Sequence, residues 1–206
     1  PNYFHYLDMA HKGGLEIATA HLGSDYYTGR LWDRLDRYKP RRDFRRAVSY
    51  FEQCKDVNND CMEGLGLSLL QLGEKEKAIK ALKKADAVVT LWVIYQFGSN
   101  GFNKNPKKAN SYKSRLDQLY KKDPKSTYLL IREIHTILKF SKLKKGDGDA
   151  LKEFAFGFRN PNPTGFPLDL ELMVKLMKKA VKAKNADAAE TLGSFYLEGK
   201  NVRRDK

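Results

Sequence analysis

Asp60–Ala85, DCMEGLGLSLLQLGEKEKAIKALKKA, decides the fold. Leu65, Leu69 and Leu72 recur at helical spacing, and Gly73 follows as a stop signal. After Glu74-Lys75-Glu76 a second amphipathic pattern begins, with Ala78, Ile79, Leu82 and Ala85 on one side. The small residues Gly66 and Ala78 fall where two antiparallel helices must come close, and the leucines fill the space between them. A hairpin of this size cannot bury its apolar faces alone, so it needs stacked neighbours.

Those neighbours are found by register. Ala47, Ala78 and Ala109 recur at intervals of 31 residues. Leu22-Gly23-Ser24-Asp25-Tyr26-Tyr27-Thr28-Gly29 repeats the first-helix theme, as do Leu91–Gly98 and Leu192–Gly199. Through Leu65-Gly66, Leu69, Leu72-Gly73, Ala78 and Ala85 the central unit resembles the tetratricopeptide repeat. The form Leu-Gly-x-x-Tyr-x-x-Gly before a longer loop resembles its SEL-like variant. The resemblance covers most of the chain, with 127–167 degenerate. It implies an all-α, right-handed α/α superhelical solenoid spanning 1–206 as one unit. The repeats fall at 15–55, 59–85, 87–121, 125–157 and 168–206, with 1–14 as the end of a preceding one. Both ends fall inside a repeat, so we expect further chain on one or both sides.

Composition sets the outer limits. The hydrophobic content of 41% suffices for a core. No apolar run approaches the roughly 18 residues of a membrane span, and no signal-peptide pattern opens the chain. Net charge is +14, from 39 basic and 25 acidic residues, and it reads as spread along the whole chain. Such an excess steers acidic partners and polyanions towards the surface.

In chain order the pattern predicts helices over 3–12, 15–27, 43–55, 60–72, 75–85, 87–97, 107–121, 125–140, 151–158, 168–185 and 186–197. Asp43 serves as an N-cap and Asp149 as another. Residues 87–97 are apolar nearly all round, which predicts burial between neighbours. Residues 160–167 contain three prolines and read as a stiff loop. The insertion 30–42 is long for a helical hairpin, and Trp32, Leu35 and Tyr38 line one side of a short helix there, with arginines beside them.

No catalytic set is found. His5, His11, His21 and His135 are scattered, and no Gly-x-Ser-x-Gly elbow occurs. Gly64-Leu65-Gly66 lies inside a helix and follows no strand, so it serves packing and not nucleotide binding. Asp147-Gly148-Asp149 lacks the remaining ligands of a calcium loop. No metal site and no cofactor is expected. The two cysteines, Cys54 and Cys61, close one helix and open the next, which brings them within disulfide reach. The pair also resembles cysteine-rich SEL-like repeats pinned in this way. Two reduced cysteines in a cytosolic core are the alternative.

The insertion is the most function-like stretch, since aromatic anchors beside arginines are enriched at protein interfaces. The expected partner-binding residues are Trp32, Arg34, Arg37, Tyr38, Arg41 and Arg42, with Asp25 on a first helix and Phe166 on the proline loop. The resemblance implies a non-catalytic scaffold whose concave, first-helix face binds another protein of acidic character. Family context suggests an immunity protein that neutralises a secreted antibacterial effector, or a periplasmic or secreted adaptor. A nucleic-acid binder, a hydrolase-like enzyme and a cytoplasmic location are the less favoured readings.

Overall fold

A computed structural model describes residues 3–32, 38–40, 42–122, 142–143, 145–159 and 166–198. The protein is an all-α helical-repeat solenoid. Its described helices are α1 (Tyr3–Lys12), α2 (Glu16–Thr28), α3 (Phe44–Cys54), α4 (Asn59–Gln71) and α5 (Lys75–Lys84). They continue as α6 (Val88–Phe97), α7 (Pro106–Lys122), α8 (Gly148–Gly157), α9 (Leu170–Lys182) and α10 (Ala186–Glu198). Each packs chiefly on its sequence neighbours, as a stacked array requires.

The central hairpin shows why the residues choose this form. Gly73 sits at φ +80°, which a side chain resists, and it ends α4 by donating its N–H to Leu70 O at 3.1 Å. A Cβ on Gly66 would meet Leu82 Cγ at 2.7 Å and the Ala78 carbonyl oxygen at 3.2 Å, so the glycine sets how close α4 and α5 approach. Asp43 caps α3 by accepting from Arg46 N at 3.0 Å. The cap of α8 is Asp147, which accepts from Ala150 N, and not Asp149, the residue expected from sequence. The two carboxylates stand two positions apart with the same chemistry, and the helix starts one residue after the first.

One layer consists of α2, α4, α6 and α8. The ring of Phe51, from α3, wedges against Gly23 of α2 and Gly64 of α4. Thr90 of α6 donates to Glu63 of α4 at 2.7 Å, and Trp92 of α6 meets Phe154 of α8 edge-on at 6.4 Å. Residues Val88–Tyr95 are all buried, in accord with their apolar circumference. On the other side α3, α5, α7 and α9 each pack on the helix before them.

The insertion differs from expectation. It holds a two-stranded antiparallel ribbon, β1 (Arg30–Trp32) and β2 (Tyr38–Pro40), with Arg30 opposite Pro40 and Trp32 opposite Tyr38. Pro40 restricts the residue before it to extended backbone, and as a ribbon terminus it loses no ladder bond that matters. The expected helix over 125–140 lies outside the described residues.

Candidate protein-binding surface

The face of α2, α4 and α6 was expected to receive a partner, but the chain itself lies across it. Leu168 donates its N–H to the Tyr27 hydroxyl at 3.3 Å and accepts from Gln71 Nε2 at 2.8 Å. Asp169 Oδ2 accepts from Ser99 Oγ at 2.9 Å and Asn100 N at 2.7 Å, while its other oxygen caps α9 through Leu172 N. Arg42 donates from Nη2 to Arg159 O, just past the end of α8. Burial pushes the Tyr27 phenol far above its ordinary value, so it remains a neutral hydroxyl.

Phe166 requires a correction. It is 7% exposed, with its ring 4.9 Å from Phe154 and 5.1 Å from Phe158, and it lies against Gly157. An aromatic ring held edge-on by two others in the core has no surface to offer a partner.

Of the other expected residues, Trp32 and Asp25 lie towards the amino-terminal end. The ribbon strand β1, which ends at Trp32, contacts both α1 and α2, and Tyr38 pairs with Trp32 across the ribbon. Asp25, half-buried on α2, raises the Tyr3 phenol through its charge, second to burial itself. Behind them Phe4, Tyr26 and Tyr50 form an aromatic row, with the Tyr26 and Tyr50 rings stacked at 5.4 Å and Arg46 over Tyr26 at 5.5 Å. Arg34, Arg37 and Arg41 lie outside the described residues.

Sequence reasoning missed the most exposed part of this end. Tyr3, Tyr6 and Met9 along α1, and Leu15 and Ile17 at the start of α2, are each more than half exposed. Their signal was present: α1 carries apolar residues all along its length, yet none of its residues is buried. The sequence reads α1 as the end of a preceding repeat.

Chemically reactive features are sparse. Burial pushes the Glu63 carboxyl up to about 7, with Asp60 adding to the rise and the Thr90 hydrogen bond opposing it. Nearby, Ala20, His21, Ser24, Phe51 and Asp60 line a shallow cleft of about 140 Å³. Among the described residues no group of three His, Cys, Asp or Glu side chains could hold a metal, and no helix is long and apolar enough to cross a membrane. Cys54 and Cys61 are bonded across the α3–α4 turn, with their Cα atoms 5.7 Å apart.

Basic residues recur along the whole chain, and the helix boundaries show which helices carry them. Helices α3, α5, α7 and α9 carry seventeen basic residues against four acidic. Helices α2, α4, α6, α8 and α10 carry one basic residue against nine acidic. Basic helices therefore alternate with acidic ones and with the uncharged α6 along the described array.

No protein-family model matches the sequence, and no curated protein does. Among solved structures the chain is similar to a protective antigen of uropathogenic Escherichia coli strains displaying an SLR fold. The identity is 20% and the TM-score 0.46, over 98% of this chain and 45% of that one. It is also similar to a Sel1 repeat protein from Oxalobacter formigenes, at 19% identity and a TM-score of 0.39, over 98% of this chain and 70% of that one. The chain thus spans less than half the length of the first of these proteins. At such identities neither similarity bears on function.

Proposed function

We propose that this protein is a non-catalytic scaffold that captures another protein at its amino-terminal end. The observation that carries this reading is the ribbon bearing Trp32 and Tyr38, whose strand β1 is set against α1 and α2, with Tyr6 and Ile17 of those helices exposed. Tyr, Trp and Met are the residues that interfaces enrich, and a rigid helical array holds them without an ordering cost at each encounter. Residues 30–42 add six basic side chains against two acidic ones, which favours an acidic partner. The Cys54–Cys61 bond favours an oxidising compartment, periplasmic or secreted. Within that setting the protein acts as an immunity protein covering a secreted effector, or as an envelope adaptor. Protection of cells from a neighbouring toxin gene product separates these two roles.

Capture from the native host by wild-type protein and by Tyr6→Asp/Ile17→Asp tests the reading. A protein retained by the wild type and lost by the double variant is the expected result. Equal retention by both overturns it.

A further inference from the structure

The alternation of charge concentrates basic residues on α3, α5, α7 and α9. A groove of about 390 Å³ lies between α3 and α5. Its floor and inner walls are apolar: Met62, Leu65 and Leu69 of α4, with Val48 and Ala81 from either side. Its rim carries Lys55, Lys77, Lys80 and Lys84 against Glu52 and Glu74. We propose that this groove docks an acidic amphipathic helix of a partner protein.

The shape selects a helix. Val48, Glu52 and Lys55 follow one another at helical spacing along α3, and Lys77, Ala81 and Lys84 do so along α5. The groove therefore runs along about two helical turns, roughly 10 Å, of each wall. Both walls are helices whose main-chain groups are bonded internally, so an extended peptide would find no ladder partners there. A helix satisfies its own backbone and needs only an apolar stripe for the floor.

The charge selects an acidic one. Lys55 pairs with Glu52, and Lys77 pairs with Glu74 at 2.6 Å. Lys84 reaches Asp56 at 2.8 Å, while Lys80 is exposed and makes no ion pair among the described residues. Of the four rim lysines, Lys80 thus carries the charge left to meet a carboxylate flanking an apolar stripe. Nucleic acid fits less well, because no aromatic side chain lines the groove for bases to stack on. A bilayer fits less well too, because the apolar residues are recessed below the lysine heads instead of protruding. The disulfide ties the end of α3 to the start of α4, which fixes one wall to the floor.

The test uses two designed peptides of about 18 residues and identical Leu, Ala and Glu composition. One carries leucines at helical i, i+3, i+4, i+7 spacing and the other is scrambled. Fluorescence anisotropy should show the patterned peptide binding and the scrambled one failing. Lys77→Glu/Lys80→Glu, both on exposed positions, should raise the Kd by about tenfold or more, and added salt should do likewise. Tyr6→Asp/Ile17→Asp should leave this binding unchanged, so failure here and failure of the amino-terminal reading are separate results. Equal binding of both peptides, or indifference to the lysine reversals, overturns the proposal. So does equally charge-sensitive binding to phosphatidylglycerol vesicles or to a single-stranded oligonucleotide in place of the patterned peptide.

Discussion

Phe51 occupies the volume that a side chain on Gly64 would need. A Cβ built on Gly64 would stand 2.6 Å from Phe51 Cε1, and one on Gly23 would stand 2.8 Å from the same atom. One ring of α3 therefore spaces two helices of the opposite layer. Gly64→Ala should destabilise the fold by about 1–3 kcal/mol in urea unfolding, because a fully enclosed ring has nowhere to move. Phe51→Leu should relieve part of that cost when the two changes are combined, giving a non-additive pair.

Tyr27 accepts from the N–H of Leu168 and Gln71 donates to its C=O across the α2–α4–α6 face. Tyr27→Phe removes the acceptor of a buried N–H and should cost about 1–3 kcal/mol. Gln71→Ala should cost less, since Gln71 is only half-buried and water can replace it. Chemical denaturation of the two single variants ranks them. A cost at Gln71 that exceeds the cost at Tyr27 would contradict this bonding scheme.

Glu63 gives stability a pH dependence of definite sign. Its carboxyl has an ordinary value near 4.5 and is pushed up to about 7 in the fold, so the folded state holds the proton more tightly than the unfolded chain. Its contribution to stability is greatest below the lower value, falls as pH rises through the window, and levels off above the upper one. The fall should be about 3 kcal/mol. Asp56 and Asp187, held below the usual carboxylate range by hydrogen bonds from Lys84 and Lys152, titrate lower and in the opposite sense. The quantity to measure is therefore the difference between wild type and Glu63→Gln across that window. The variant should gain stability relative to wild type as pH rises.

The Cys54–Cys61 bond closes a loop with a sequence separation of 7. On the chain-entropy account its reduction should cost about 2–3 kcal/mol. Thermal melts with and without reductant measure this directly. The same treatment should weaken peptide docking in the α3–α5 groove, because the wall then loosens from the floor. A reduced protein as stable as the oxidised one would remove both expectations.

The sequence showed the helix pairs plainly, because Leu65, Leu69 and Leu72, followed by Gly73, carry period and stop signal together. It showed Gly66 facing Ala78 for the same reason: both positions follow from local spacing. The ribbon was misread because Trp32, Leu35 and Tyr38 satisfy a three-residue spacing by chance, while the pairing of Arg30 with Pro40 has no local signature. Phe166 was misplaced because its burial depends on Phe154 and Phe158, brought to it by tertiary packing across a proline-rich loop. The alternation of charge was present in the residues but became visible only once the helix boundaries assigned Lys75–Lys84 to one layer and Asn59–Gln71 to the other. At the amino-terminal end, exposure is what marks Tyr3, Tyr6 and Met9, and sequence spacing alone does not show exposure.

Hydrogen exchange of the protein alone and in complex with its captured partner tests the central claim most directly. Slowed exchange over Tyr3–Ile17 and the ribbon strands is the expected result, with α6 unchanged because it is already enclosed. Protection confined to other helices, with Tyr3–Ile17 exchanging as in the free protein, would contradict the account.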